Sequence, residues 1–118
     1  MRERDLDDRL LAFGARALRL AGALPRTIAG RHIATQLLRS ATSVGANYQE
    51  AQAAESRGDF AHKLQIALKE ARETNYWLRL IEAAKLLPAA KLTGIIDEST
   101  QLRAILAKSV ARTKGTAK

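Results

Sequence analysis

The side chains best able to do chemistry lie in two files. Gln36, Ser40, Ser43, Asn47 and Glu50 recur at spacings of 4, 3, 4 and 3, which puts them on one side of a helix. Glu70 and Glu73 stand three residues apart on a later segment, in register with Ile66 and Trp77. Two neighbouring carboxylates are the pattern of a general acid and its base. Here Lys69 and Arg72 flank them, and on such a helix carboxylates more often serve as ion-pair partners. Ser43, Asn47, Glu50, Glu70 and Glu73 are therefore expected to form an interhelical polar network. Such a network fixes register or oligomeric state, because polar groups bordering an apolar seam must find partners.

Other chemistries have less to build on. A carboxylate-bridged di-metal bundle needs Glu-x-x-His on two helices. The chain has two histidines, His32 and His62, and neither follows a glutamate at that spacing. There is no cysteine, so thiolate metal sites, disulfides and thiol nucleophiles are all excluded. Ser40 and Ser43 have no evident base, and no Gly-x-Ser-x-Gly elbow or phosphate-cradling glycine loop occurs. No metal, no cofactor and no catalysis are expected. A hydrolase using Glu70 and Glu73 is the remaining catalytic alternative.

The elements that must position these residues are helices. Among 118 residues, 23 are Ala and 17 are Leu, both strong helix formers, whereas Val occurs twice. Leu6, Leu10, Phe13, Ala17, Leu20 and Leu24 alternate by 4 and 3 and end before Pro25, which predicts a first helix with one buried seam. Ile33, Leu37, Ala41, Val44, Tyr48 and Ala51 predict a second over about Thr27 to Ala54, with Gly45 suggesting close backbone packing. Its phase runs unbroken through Leu38-Arg39-Ser40, where a helix-turn-helix would need its turn. Ser56 with Asp59 reads as a capping box. The third helix follows it to about Leu87, burying Phe60, Leu64, Ala67, Ala71, Thr74, Leu78 and Ile81. After Pro88, a fourth runs from Ala89 to Arg112 on Leu92, Ile95, Ser99, Leu102 and Leu106. Short connections favour antiparallel neighbours, so the expected fold is all-α: one up-down-up-down four-helix bundle over residues 1–112. Residues 113–118 are expected to be a flexible basic tail.

Charge is the strongest functional signal. The net charge is +8, and it is unevenly distributed. No acid occurs from Leu11 to Gln49, and none follows Glu98. Clustered Arg and Lys gain free energy by releasing counterions from a phosphate backbone, so the surplus points to a polyanion. Arg16, Arg19, Arg31, Lys108, Arg112 and Lys114 are the expected phosphate contacts. The first four-residue surplus (Arg16, Arg19, Arg26, Arg31) belongs to the end where helices 1 and 2 join, and the C-terminal cations belong to the opposite end. Two basic surfaces are expected rather than one. The opening residues mix both charges and make a poor secretory leader, and the longest uncharged run is far too short for a membrane span. The cytoplasm is the expected location.

The first helix carries a second apolar stripe of Leu11, Gly14, Leu18 and Ala21, and the third carries Ile66, Trp77, Leu80 and Ala84. One reading is a wide core face. The other is a homo-oligomer interface built on Leu11, Leu18, Trp77 and Leu80, since monomers seldom expose large apolar patches.

The run Gln36-Leu37-Leu38-Arg39-Ser40-Ala41-Thr42-Ser43-Val44-Gly45-Ala46-Asn47, with Glu50-Ala51, resembles the core motif of the four-helix-bundle family of 23S rRNA intervening-sequence proteins. Asp59-Phe60, Leu64, Ile66-Ala67, Lys69-Glu70-Ala71, Glu73-Thr74 and Tyr76-Trp77-Leu78 resemble its second motif. Ala51 stands where many members carry glycine. The resemblance implies an up-down bundle assembled as a homopentamer. A related branch, the accessory variability proteins of diversity-generating retroelements, implies a basic pentameric barrel that binds nucleic acid and a reverse transcriptase. The sequence is thus read as a non-enzymatic, oligomeric, nucleic-acid-binding accessory protein favouring RNA. The alternative is an oligomeric scaffold for a protein partner, for example a nucleic-acid-processing enzyme.

Overall fold

The computed structural model describes residues 3–115. Four helices follow one another: α1 (Glu3–Gly22), α2 (Ile28–Gln52), α3 (Arg57–Ala83) and α4 (Thr93–Gly115), with a short 3₁₀ turn at Ala89–Lys91 before the last. No strand occurs among the described residues. The seams read from spacing are the ones buried. Every residue expected inward on α1, α2 and α4 lies in the core, and on α3 only Phe60, near its start, is half-buried.

The helix starts follow from side-chain caps. The Thr27 hydroxyl accepts the Gly30 N–H at 3.0 Å and opens α2; the Ser56 hydroxyl accepts the Asp59 N–H at 3.0 Å and opens α3. The return half of the capping box is displaced by one residue. The Asp59 carboxylate accepts the Glu55 N–H, at 3.4 Å, and is also reached by Lys63 at 3.2 Å. α2 is a single uninterrupted helix, as its phase required. Gly45 faces Leu10, but a Cβ there would stand 3.6 Å from the leucine Cβ, an ordinary contact. The α1 backbone at Leu10 comes within 3.9 Å of the same position, so the two helices pack closely at Gly45 without excluding a methyl group.

Two boundaries differ from the sequence reading. α3 stops at Ala83, four residues before the expected end at Leu87, and Pro88 is not what stops it. The Lys85 N–H donates to the Glu82 carbonyl and the Leu86 N–H to the Ile81 carbonyl, while Lys85 takes φ 55°. This is a Schellman termination, with Lys85 in the left-handed position usually given to glycine and Leu86 folded back onto the core. The fourth helix is likewise displaced. It begins at Thr93 after the 3₁₀ turn and runs on to Gly115, so residues 113–115 are helical rather than part of a tail. Residues 116–118 lie outside the described residues.

Side-chain contacts join each consecutive pair of helices. Asp7 meets Gln49 and Leu10 faces Gly45 across α1 and α2. Arg39 meets Glu70 and Glu73, and His32 meets Trp77, across α2 and α3. Asn75 of α3, 3% exposed, donates to Ser99 and Thr100 of α4 at 3.2 and 3.3 Å, and Arg103 donates to its carbonyl oxygen. α1 also packs on α4, closing the core that the four seams share. The molecule measures 48 × 23 × 21 Å.

Two substitutions test the turns. Lys85→Gly removes the steric cost of a left-handed lysine and should raise unfolding free energy by about 1 kcal/mol in urea titration. Gly30→Ala should do the reverse. Its Cβ would fall 1.9 Å from the Pro25 carbonyl oxygen, and the chain must shift to admit it. A loss of about 1–3 kcal/mol is expected, and unchanged stability would contradict this account of the α1–α2 turn.

Candidate nucleic-acid interface

The basic residues are distributed over surfaces that the helix order alone did not define. Arg16 and Arg19, one turn apart on exposed α1, line a cleft of about 320 Å³ together with Leu20, Ala23, Ile95 and Lys91. Lys91 comes from the 3₁₀ turn and was not among the expected contacts. The Arg16 guanidinium reaches across to the first turn of α4, where a Cβ on Gly94 would stand 3.1 Å from Nη2. Arg31 is not in this cleft. It lines a second one, of about 270 Å³, with Arg26, Pro25, Gly30 and the last residues of α1. The two clefts flank the C-terminal turns of α1.

Lys108, Arg112 and Lys114 are exposed on the last turns of α4. Lys108 is fourteen residues beyond Gly94, which is about 21 Å along the helix at 1.5 Å per residue. The structure therefore separates these cations from Arg16 and Arg19.

The electrostatics around the first cleft turn on one pair. Arg9 grips Glu98 with both arms, Nε to Oε2 at 3.0 Å and Nη2 to Oε1 at 2.7 Å, and also touches Gln101 at 3.2 Å. Both groups are about three-quarters covered. The Arg9 hydrogen bonds hold the Glu98 carboxyl below its ordinary value of 4.5, against the opposing effect of burial, and the charges of Arg9 and Arg16 add to the lowering. The same bonds push the Arg9 guanidinium upward. Among the described residues the other ion pairs are Arg39–Glu70, Arg39–Glu73 and Lys63–Asp59. None engages Arg16, Arg19 or Lys91.

The expected polar network is only partly assembled. Ser43 donates to the Arg39 carbonyl and Asn47 to the Ser43 carbonyl, both within α2, and Glu50 is exposed. These three do not bridge helices. A hydroxyl or amide one turn below its own helix carbonyl is satisfied locally and has no need of a neighbour. Glu70 and Glu73 do bridge, through a residue the pattern did not single out. Arg39 of α2 donates to Glu70 at 3.4 Å and to Glu73, and Trp77 Nε1 donates to Glu73 at 3.3 Å. Both carboxylates are thus engaged by a cation, the arrangement of an ion-pair cluster. His32 and Tyr76 each meet the Trp77 ring edge-on, at centroid distances of 6.1 and 5.3 Å. Among the described residues no three His, Asp or Glu side chains cluster as metal ligands would.

The expected interface residues divide in the same way. Leu11 and Leu18 are 76% and 52% exposed and flank a groove of about 420 Å³ between α1 and α2, floored by Gly14, Ala15, Gly45 and Ala46. Trp77 and Leu80 instead lie half-buried against the core. On the α3 stripe Trp77 and Leu80 pack on the core while Ile66 is half-buried and Ala84 is exposed; on the α1 stripe Leu11 and Leu18 are open surface of the single chain.

Comparison with known proteins agrees with this architecture. Residues 9–108 match the family model described as 23S rRNA-intervening sequence protein. The chain belongs to this family. A solved structure from Bacteroides thetaiotaomicron VPI-5482, described as a protein with unknown function from the S23 ribosomal protein family, is 37% identical with a TM-score of 0.85. The match covers 94% of this chain and 99% of that one. A comparison with curated proteins finds no match. Within this family member, no helix among the described residues is long and apolar enough to cross a membrane.

The Arg9–Glu98 pair gives a signed pH dependence. Glu98 has a lowered pKa in the folded state, so its contribution to stability is present above about pH 4.5 and is lost as pH falls through the lower folded value. Arg9→Met should remove most of that contribution. Thermal melts from pH 6 to pH 2.5 should show a shallower acid-side fall in the variant than in the native chain, and parallel curves would count against the pair.

Proposed function

We propose that this family member is a non-enzymatic, cytoplasmic accessory protein whose four helices run up-down-up-down. It assembles as a homo-oligomer, a homopentamer on the family resemblance, and binds nucleic acid through phosphate contacts. The observation that carries this reading is the cleft between α1 and the α3–α4 turn, where Arg16, Arg19 and Lys91 converge with no carboxylate in its lining. Three like charges repel unless an anion sits among them, and a polyphosphate backbone is the abundant partner that supplies one. Arg31 in the neighbouring cleft and Lys108, Arg112 and Lys114 at the far end of α4 extend the basic surface. RNA is the favoured polymer. Leu11 and Leu18 beside the α1–α2 groove supply the subunit interface, because two leucines this exposed on one apolar groove are covered in a stable assembly.

The same groove supports a second reading, in which it receives a protein partner such as a nucleic-acid-processing enzyme and the charge serves solubility. One experiment separates the two. Light scattering on a sizing column, with absorbance at two wavelengths, should give a multiple of the 12.9 kDa chain mass and co-eluting nucleic acid. Added single-stranded RNA should then bind with a log affinity that falls steeply with log salt, by about 0.7 per phosphate contacted. Leu11→Ser with Leu18→Ser should lower the subunit number without unfolding the chain. Salt-independent binding, or none at 50 mM salt, would favour the scaffold.

A further inference from the structure

Arg16 lies close enough to Glu98 to lower that carboxyl's pKa, yet the two form no ion pair. The reason is geometric. Both Glu98 oxygens are already occupied by Arg9, which approaches from about two turns nearer the start of α1. Arg16 extends past them to Gly94, where the missing side chain leaves room for its guanidinium. Arg19 and Lys91 border the same cleft over an apolar floor of Leu20, Ala23 and Ile95. Were Glu98 not held, it would be a carboxylate within electrostatic range of Arg16, and a guanidinium bound in two places by its own chain has few donors left for a ligand.

We propose that this cleft is a phosphate clamp, in which Arg16, Arg19 and Lys91 together take one phosphate of a nucleic-acid backbone, and that Arg9 is a positioning residue that keeps Glu98 from capturing Arg16. The clamp rests on the nucleic-acid reading above and narrows it to one locus. It also assigns roles to two residues, Arg9 and Lys91, that contact patterns in the sequence did not reveal. An apolar floor beneath three cations suits a phosphate held by its oxygens with its sugar directed outward. It does not suit a stacked base, since no aromatic ring lines the cleft.

The test is fluorescence anisotropy with a labelled single-stranded RNA oligonucleotide at 50 mM NaCl and over a salt series. Arg19→Ala with Lys91→Ala should weaken binding at least tenfold and flatten the log–log salt slope by about 0.7, one phosphate's worth. Lys69→Ala with Arg72→Ala removes the same charge from exposed α3 and should cost distinctly less. Arg9→Met should weaken binding at least threefold although Arg9 touches no ligand. Adding Glu98→Gln to it should restore affinity, whereas adding Glu55→Gln, which restores the same net charge elsewhere, should not.

Native binding unaffected by the Arg19/Lys91 pair, or equally affected by the Lys69/Arg72 pair, overturns the clamp and leaves the nucleic-acid reading standing. An Arg9→Met loss that Glu98→Gln does not recover overturns the positioning role. No binding by the native chain overturns both the clamp and the reading beneath it. Thermal melts of each variant separate a lost contact from a lost fold.

Discussion

Each helix of this protein presents one face that water disfavours and another that the core would reject. Helical stability in such amphipathic segments comes mostly from tertiary packing rather than from intrinsic propensity. They become stable only by bringing their apolar stripes together, and at roughly 25 cal/mol per Å² of apolar surface removed from water that burial dominates the other contributions. Leu37, Leu64, Leu78, Ile81, Leu92 and Leu106 are fully covered, spread along the core that those stripes enclose. The spacing of those residues dictates which side of each helix faces in. What remains outside, including Arg16, Arg19 and Lys91, is placed by that single requirement.

Burial of leucine and alanine is nearly indifferent to sliding by a turn, so the register needs something more directional. Polar contacts at the seams supply it. Asn75 is deeply buried on α3 and is matched by Ser99, Thr100 and Arg103 of α4, and a shift by one residue would strand its amide. Arg39 does the same between α2 and α3, and Arg9 between α1 and α4. Surface ion pairs contribute little to overall stability. Their value here is geometric, since each sets the height of one helix against its neighbour. The clefts beside α1 depend on those heights, because Arg16 meets Gly94 only in this register.

Much of the fold was legible along the chain. Every residue read as inward on α1, α2 and α4 is buried, although Ala21 and Val110 join the core without having been read into those seams, and both N-terminal caps that the structure describes for α2 and α3 follow from a Thr or Ser before an apolar-periodic run. The α3 terminus was misplaced because proline is a visible breaker, whereas a Schellman turn closed on Lys85 leaves no residue-type signal. Lysine is a poor guide to a left-handed position, and only the backbone hydrogen bonds reveal it. The candidate site was half legible. Arg16 and Arg19 stood out in a long acid-free stretch, but Lys91 sits in a segment whose charges balance, and nothing local marks it. Ser43, Asn47 and Glu50 were read as bridging because their spacing is helical. Spacing reports a shared face, and it does not report whether a hydroxyl turns toward a neighbour or back onto its own carbonyl.

By itself the sequence determined that this chain is four amphipathic helices with short turns, which stripes are buried, and that its surplus charge falls in acid-free stretches. Those properties are local, set by residues three and four apart. Only the tertiary structure decided which charges cancel. Arg9 and Glu98 are 89 residues apart, and Arg39 reaches Glu70 across 31. Whether such pairs meet depends on the rotation and height of two packed helices, which the whole core sets at once. The positive cleft exists because Arg9 found a carboxylate and Arg16 did not, and that outcome belongs to packing.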